Sequence, residues 1–164
     1  MNETKITKRL IAIAFKDLTR EKPVSKINIT DISQKCLINR KSFYYHFKDK
    51  EDLINWIFDD EFLRKSRKNE TFFELINSLT EYLYNNKSFY RKLLKWEGQN
   101  SFSEHLHSIF AIEIKEGIEA VSELQINFIA DGIISAVKRW LLSYNPCSPH
   151  EISNQINSCI FSFN

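Results

Sequence analysis

Ile11, Ala14, Phe15 and Leu18 recur at i, i+3, i+4 and i+7, with Lys8, Arg9 and Lys16 among the polar positions. That period gathers the apolar side chains on one helix face and predicts a first helix over residues 4–21. Pro23 lies just beyond it. No comparable stretch alternates apolar and polar residues with a period of two, so strands are not expected. Later helix starts are marked by a capping residue with an acid three positions on: Asn28 with Asp31, Asp49 with Asp52, Thr71 with Glu74, Ser101 with Glu104, and Ser148 with Glu151. Such pairs satisfy backbone amides that have no partner in the first turn. Pro149 takes the first helical position after Ser148, where an amide hydrogen would go unpaired anyway. The remaining predicted helices are 29–35, 40–47, 50–67, 71–85, 87–97, 102–120, 123–144 and 149–162, about nine helices in an all-α fold.

The second and third of these helices are too short to persist alone and need a tertiary partner. Ile32, Ile38, Phe43 and Phe47 can close a three-helix core against Ile11, Phe15 and Leu18. Phe43 and Phe47, four apart, then take the inward face of the 40–47 helix. Lys41, Ser42 and Tyr45 point outward, with Arg40, Tyr44 and His46 at the flanks. Asn39 is placed to cap this helix. An exposed face of that kind suits a DNA major groove, where Arg or Lys donates to guanine edges and hydroxyls or helix-end amides hold phosphates.

Charge sharpens this reading. Residues 1–50 hold 12 Lys or Arg against 5 Asp or Glu, a net of +7; residues 51–164 hold 11 against 16, a net of −5. A basic head on an acidic body is the electrostatic footprint of a protein whose head alone approaches a polyanion. Cys36, Cys147 and Cys159 are odd in number and lack a CxxC pairing, so neither a disulfide framework nor a zinc site is indicated. No stretch approaches a membrane span. A cytoplasmic protein without membrane partner, metal or cofactor is expected.

The run Ile27-Asn28-Ile29-Thr30-Asp31-Ile32-Ser33, followed by Ile38-Asn39-Arg40-Lys41-Ser42-Phe43-Tyr44-Tyr45-His46-Phe47-Lys48-Asp49-Lys50-Glu51-Asp52-Leu53, resembles the signature of TetR-family regulators: a capped helix, a tight turn, an FYxHF helix and a KxxL start. The resemblance covers about the first 55 residues without insertion. It implies a helix-turn-helix DNA-binding domain over residues 1–50 and a helical dimerisation and effector-binding domain over 51–164. It also implies a homodimer, usually a repressor, on a palindromic double-stranded operator. By the same resemblance Asn28 and Thr30 neighbour phosphates, Arg40 and Lys41 read bases or backbone, Tyr44 touches the backbone, and Lys50 anchors a phosphate. Asn39, Ser42, Tyr45 and His46 complete the DNA-binding set, His46 standing either near the groove or packed inward. The family's turn glycine is Leu37 here, which costs about 1 kcal/mol or alters the turn. A weaker resemblance over residues 50–160 points to the branch that includes regulators of dihydroxyacetone kinase operons, which implies an activator working with a protein co-inducer as the alternative.

In the body, Ile129, Gly132, Ile133, Ala136 and Trp140 form one apolar stripe, while Ala130, Ile134, Val137 and Leu141 form a second. Two apolar faces need two partners. Ile129, Ile133, Val137, Trp140 and Leu141, with Ile152, Ile156 and Ile160 of the last helix, are the candidate dimer interface. Phe73, Tyr82, Phe89, Trp96 and Phe110 are candidates for an effector pocket, although aromatics at helical spacing more often form plain core. A small-molecule effector or a protein co-regulator is thus a second partner beside DNA. An enzyme is disfavoured: His105 and His107, two apart, face away from each other, and there is no phosphate loop or nucleophile motif. A helical protein–protein interaction module without DNA binding remains the other reading.

Overall fold

The computed structural model of the chain describes residues 3–66, 71–96 and 102–161. Within them the elements are α1 (Glu3–Glu21), a 3-10 turn (Val24–Lys26), α2 (Ile29–Lys35), α3 (Arg40–His46), α4 (Lys50–Phe58) and α5 (Arg64–Ser66). There follow α6 (Phe72–Asn85), α7 (Lys87–Lys95), α8 (Phe102–Gly117), α9 (Glu123–Leu142) and α10 (Pro149–Phe161). One wide turn of π type, Asp59–Leu63, joins α4 to α5 without a break, so the two form a single rod. No strand occurs among the described residues.

The caps explain most of the boundaries. Asn28 with Asp31, and Thr71 with Glu74, form reciprocal capping boxes. Asp49 accepts from the Asp52 amide, Asn39 from that of Ser42, and Ser148 from that of Glu151. Ser122 with Gln125 makes a further box, with a neutral amide where the sequence pattern sought an acid. The expected cap at Ser101 lies outside the described residues. Expected and observed ends differ most at α8, which stops at Gly117 rather than running to residue 120. Ala120, with φ 57°, has left the helical region there.

Ile11, Phe15, Ile32 and Phe43 are fully buried and Phe47 is 1% exposed, so α1, α2 and α3 close on one core. This core continues without a gap through Leu53, Ile57 and Phe58 of α4 into the aromatic interior around Tyr90. In the body α8 stacks on α9 and α10 on α6, and α7 packs against both α9 and α1.

The turn between α2 and α3 settles the question raised by Leu37. Its φ of 56° is the left-handed conformation that glycine adopts without penalty. The Ile38 amide donates to the Ser33 carbonyl at 2.9 Å and the Leu37 amide to that of Gln34 at 3.2 Å, the two hydrogen bonds of a Schellman ending. Leucine therefore keeps the glycine-type turn and bears its strain, with its side chain 93% exposed.

Lys50 is placed differently from the expectation. Its Nζ donates to the carbonyls of Val24 at 2.8 Å and Ile27 at 2.9 Å, and lies 4.5 Å from the centre of the Trp96 ring. Burial lowers its pKa, against the raising influence of Glu51. The ammonium is thus directed into the protein, tying the start of α4 to the 3-10 turn, rather than held out for a phosphate. A helix-start motif locates the backbone of such a residue, whereas its long stem reaches whichever acceptors lie nearest.

Two stability changes follow. Leu37→Gly relieves the left-handed strain at a site with no packing to lose and raises unfolding stability by about 1 kcal/mol, read as a higher urea midpoint at fixed protein concentration. Lys50→Ala leaves two loop carbonyls without their charged donor and lowers stability by about 1.5–3 kcal/mol in the same assay. An unchanged midpoint would return Lys50 to a role on the surface.

Candidate nucleic-acid interface

The face of α3 opposite Phe43 and Phe47 is open. Asn39, Arg40 and Lys41 are exposed, Tyr45 is 79% and Tyr44 49% exposed, and Ser42 is half-buried. Arg40 lies along Tyr44, its guanidinium 5.9 Å from the ring centre and 3.3 Å from the phenol oxygen. This i, i+4 pairing holds both groups on the same side of the helix. Asn39 accepts from the Ser42 amide at 2.8 Å and lies 3.2 Å from the Ser42 hydroxyl, which fixes the start of the helix. His46 is half-buried with its Nδ1 enclosed and without a hydrogen-bond partner among the described residues. Burial, and secondarily the charge of Lys8, lowers its pKa, which favours the neutral ring. Of the two placements open to it, His46 takes the packed flank.

On α2, Asn28 is exposed and Thr30 half-buried in the first turn. The structure thus brings Asn39, Arg40, Lys41, Ser42, Tyr44 and Tyr45 together on one short helix. Lys50 has turned away from this set to its carbonyl partners.

A second feature escaped the sequence reading. Asp60, 8% exposed, receives Arg9 at 3.1 Å and Lys5 at 3.6 Å from α1, and also Arg64 from α5. Burial alone raises the Asp60 pKa, but the Arg9 hydrogen bond and the charges of Arg64, Arg9 and Lys5 outweigh it and hold the carboxyl below its ordinary value. Glu61 pairs with Lys16 of α1 at 2.6 Å and accepts from the Tyr82 hydroxyl at 2.9 Å. Tyr82 in turn meets the hydroxyl of the fully buried Tyr90 at 2.8 Å. Burial drives both phenol pKa values up, so both stay protonated as donors. Three cations of the basic head are therefore engaged with the body's own acids. The signal was present: Lys5, Arg9 and Lys16, spaced by four and seven, share one face of α1 and meet the acidic run Asp59-Asp60-Glu61.

The candidate dimer residues divide. Val137 and Leu141, 1% and 0% exposed, lie in the subunit's own core beside Ala130 and Ile134. They are not available to a partner, which corrects the expectation. Trp140 is likewise held internally, stacked on Tyr84 at 5.9 Å with its indole donating to the Cys147 carbonyl at 2.9 Å. Periodicity showed two apolar stripes on α9; the stripe of Ala130, Ile134, Val137 and Leu141 is buried throughout, and Ile133 and Trp140 of the other stripe are buried with it. Ile129 and Ile152, both half-buried, instead border an open apolar groove of about 270 Å³ between α9 and α10, whose lining also takes in Gly132, Ala136, Cys159 and the more deeply set Ile133, Ile156 and Ile160, 2–8% exposed. Phe128, 70% exposed, stands at its edge.

The candidate effector residues do not converge. Phe89 meets Phe15 edge-on, Phe110 meets Phe72, Tyr82 stacks on Phe62, Trp96 lies under Lys50, and Phe73 is 39% exposed. The first three serve as core. His105 and His107 sit on separate partners, 2.8 Å from Asp59 and 3.5 Å from Asp131. Among the described residues no His, Cys, Asp and Glu cluster suits a metal, and no helix is long and apolar enough to cross a membrane.

Comparison with known proteins bears on the family and the fold. Residues 70–162 match the family model for the TetR-type transcriptional regulator C-terminal region. The HTH-type dhaKLM operon transcriptional activator DhaS of Lactococcus lactis subsp. lactis (strain IL1403) is 35% identical over 96 residues, 57% of this chain and 51% of that protein. The match thus spans about half the length of the curated relative. Among solved structures, the dihydroxyacetone kinase operon activator DhaS superposes with a TM-score of 0.65 at 24% identity, covering 96% of this chain and 95% of that one. A TetR transcriptional regulator from Streptococcus agalactiae 2603V reaches a TM-score of 0.72 at 21% identity, with the same coverages. These structural likenesses establish the shared fold, and the family model, which covers more than half of the chain, establishes descent: the chain belongs to the TetR family, whose members are transcriptional regulators and not enzymes.

Proposed function

We propose that this regulator binds a palindromic DNA operator as a homodimer in the cytoplasm, residues 1–50 forming the DNA-reading head and 51–164 the dimerising body. The observation that carries the reading is the α3 face: Arg40, Lys41 and Tyr45 stand exposed on a helix whose other side is locked by Phe43 and Phe47. Arg40 and Lys41 read base edges in the major groove, while Tyr44, Ser42, Asn39, Thr30 and Asn28 hold the flanking backbone. Repression is the mode the family signature implies, but the lactococcal relative is named an activator, and its identity of 35% favours activation here. A protein co-regulator is then the more natural second partner than a ligand in the packed aromatic interior.

The dimer forms through the α9–α10 groove. Gly132 sits in the middle of α9, where glycine costs about 1 kcal/mol relative to alanine. A side chain added there would meet nothing within 4 Å among the described residues. The chain's own packing supplies no reason for glycine, whereas close approach of a partner helix does, with Ala136 one turn further along the same face.

Two experiments test the proposal. Selection from genomic fragments followed by binding at several salt concentrations yields one preferred operator and an affinity that falls steeply with salt. Arg40→Ala or Lys41→Ala then removes about 1–3 kcal/mol of discrimination against mismatched operators. Retention of every fragment alike, or of none at low salt, counts against direct readout. For the dimer, Gly132→Leu sediments as a monomer and Gly132→Ala weakens self-association, while both keep the helical circular dichroism of the parent. A Gly132→Leu variant that keeps the dimer mass places the interface elsewhere.

A further inference from the structure

A projection and a recess stand side by side on the open face of α9. Phe128 is 70% exposed, although a phenyl ring is among the larger apolar surfaces a chain can bury. Gly132, four residues and so about one turn further along the same face, offers no side chain, and a Cβ there would meet nothing within 4 Å among the described residues. Both border the groove of about 270 Å³ between α9 and α10. No charged side chain lines that groove, and Gln155 supplies its one amide. Its size lies below the range of small-ligand clefts, and a small ligand would find few polar groups there to orient it.

We propose that Phe128 anchors the homodimer, its ring seated in the partner subunit's α9–α10 groove over the partner's Gly132; the inference rests on the dimer proposed for this chain and names the contact that holds it. A twofold axis sets one patch against its own copy, so a surface that carries a projection and a recess together fits itself twice. An unrelated partner would use one of the two and leave the other without a purpose. Charge on α9 favours the same occupant and sets its direction. Glu123 and Asp131 fall in the first half of the helix, Lys138 and Arg139 in the second. Asp131 lies 3.5 Å from His107 of α8, yet its side chain stays 74% exposed. An antiparallel copy lays the acidic half against the basic half, whereas a parallel copy sets like charge on like. Aromatic rings seated in dry pockets carry an outsized share of interface energy. The glycine inside α9 is then the means by which the partner's ring is admitted, since any larger side chain at position 132 takes the space the ring needs.

Sedimentation of the full chain over a range of concentrations tests this, with circular dichroism to show that each variant keeps its helices. Phe128→Ala weakens dimerisation by about 100-fold or more, because each dimer loses the ring from both grooves. Gly132→Leu fails to dimerise for the opposite reason, each groove being filled before the ring arrives. Mixed in equal amounts, these two variants form a heterodimer. One groove of that pair holds the native contact of phenylalanine over glycine, and in the other the introduced leucine meets the introduced alanine, so neither a void nor a clash remains on both sides. A Phe128→Ala chain that dimerises as tightly as the parent overturns the proposal, and so does a mixture that stays monomeric, since the ring and the glycine then do not face each other across the axis. Either result leaves the dimer itself standing. A parent chain that sediments as a monomer overturns the dimer and the anchor together.

Discussion

A seven-residue helix makes too few internal hydrogen bonds to persist in water, so α3 exists because Phe43 and Phe47 are buried against α1. Full burial of such side chains contributes about 1.5–3 kcal/mol each, comparable with the ordering cost of a few residues. The same two contacts set the rotation of the helix. With both rings inward, Arg40, Lys41 and Tyr45 have no other direction than outward. Stability and chemistry are thus decided by one packing event, and the Schellman turn at Leu37 must hold α3 at the angle that allows it. That a leucine accepts a left-handed conformation there shows how strongly the core on either side determines the turn.

The helices were largely legible because their signals are local. Capping pairs at Asn28, Thr71 and Ser148, and the period in α1, depend on residues three or four apart, and the structure reproduces them within a few positions. What the sequence concealed was long-range direction. Lys50 is read correctly as the start of α4, yet its ammonium finds the carbonyls of Val24 and Ile27 more than twenty residues earlier. The two stripes of α9 are equally apolar in sequence. Only the position of α8 and α10 determines that Val137 and Leu141 face the interior while Ile129 and Ile152 border an open groove. The aromatic residues of the body failed as a pocket for the same reason: composition gathers them, but pairings such as Phe15 with Phe89 and Phe72 with Phe110 distribute them through the core.

The charge asymmetry of the chain carries two meanings that a sum cannot separate. Part of the positive excess of residues 1–50 lies outward on α3. Another part, Lys5, Arg9 and Lys16, faces the body and neutralises Asp60 and Glu61. The second part is an intramolecular contact between head and body, in which Lys16 is matched by Glu61 while Lys5, Arg9 and Arg64 share the single carboxylate of Asp60 and are neutralised only in part.

The wide turn at Asp59–Leu63 makes that contact possible. In a π-type turn successive side chains diverge by less than in an α-helix, so the adjacent Asp60 and Glu61 can both reach α1. Glu61 then links three helices, receiving Lys16 from α1 and Tyr82 from α6, which in turn meets Tyr90 of α7. Each group in this chain of hydrogen bonds has its partner, and the buried phenols lack water as a substitute, so displacing one member leaves another unpaired at a cost of about 1–3 kcal/mol. A movement of α6 or α7 is therefore opposed at Glu61 before it reaches α1, and α1 is the surface on which Phe43 and Phe47 rest. Any partner that shifts the body and thereby alters the α3 face must act against this junction, which makes the irregular turn, more than α3 itself, the element that joins the two parts of the molecule.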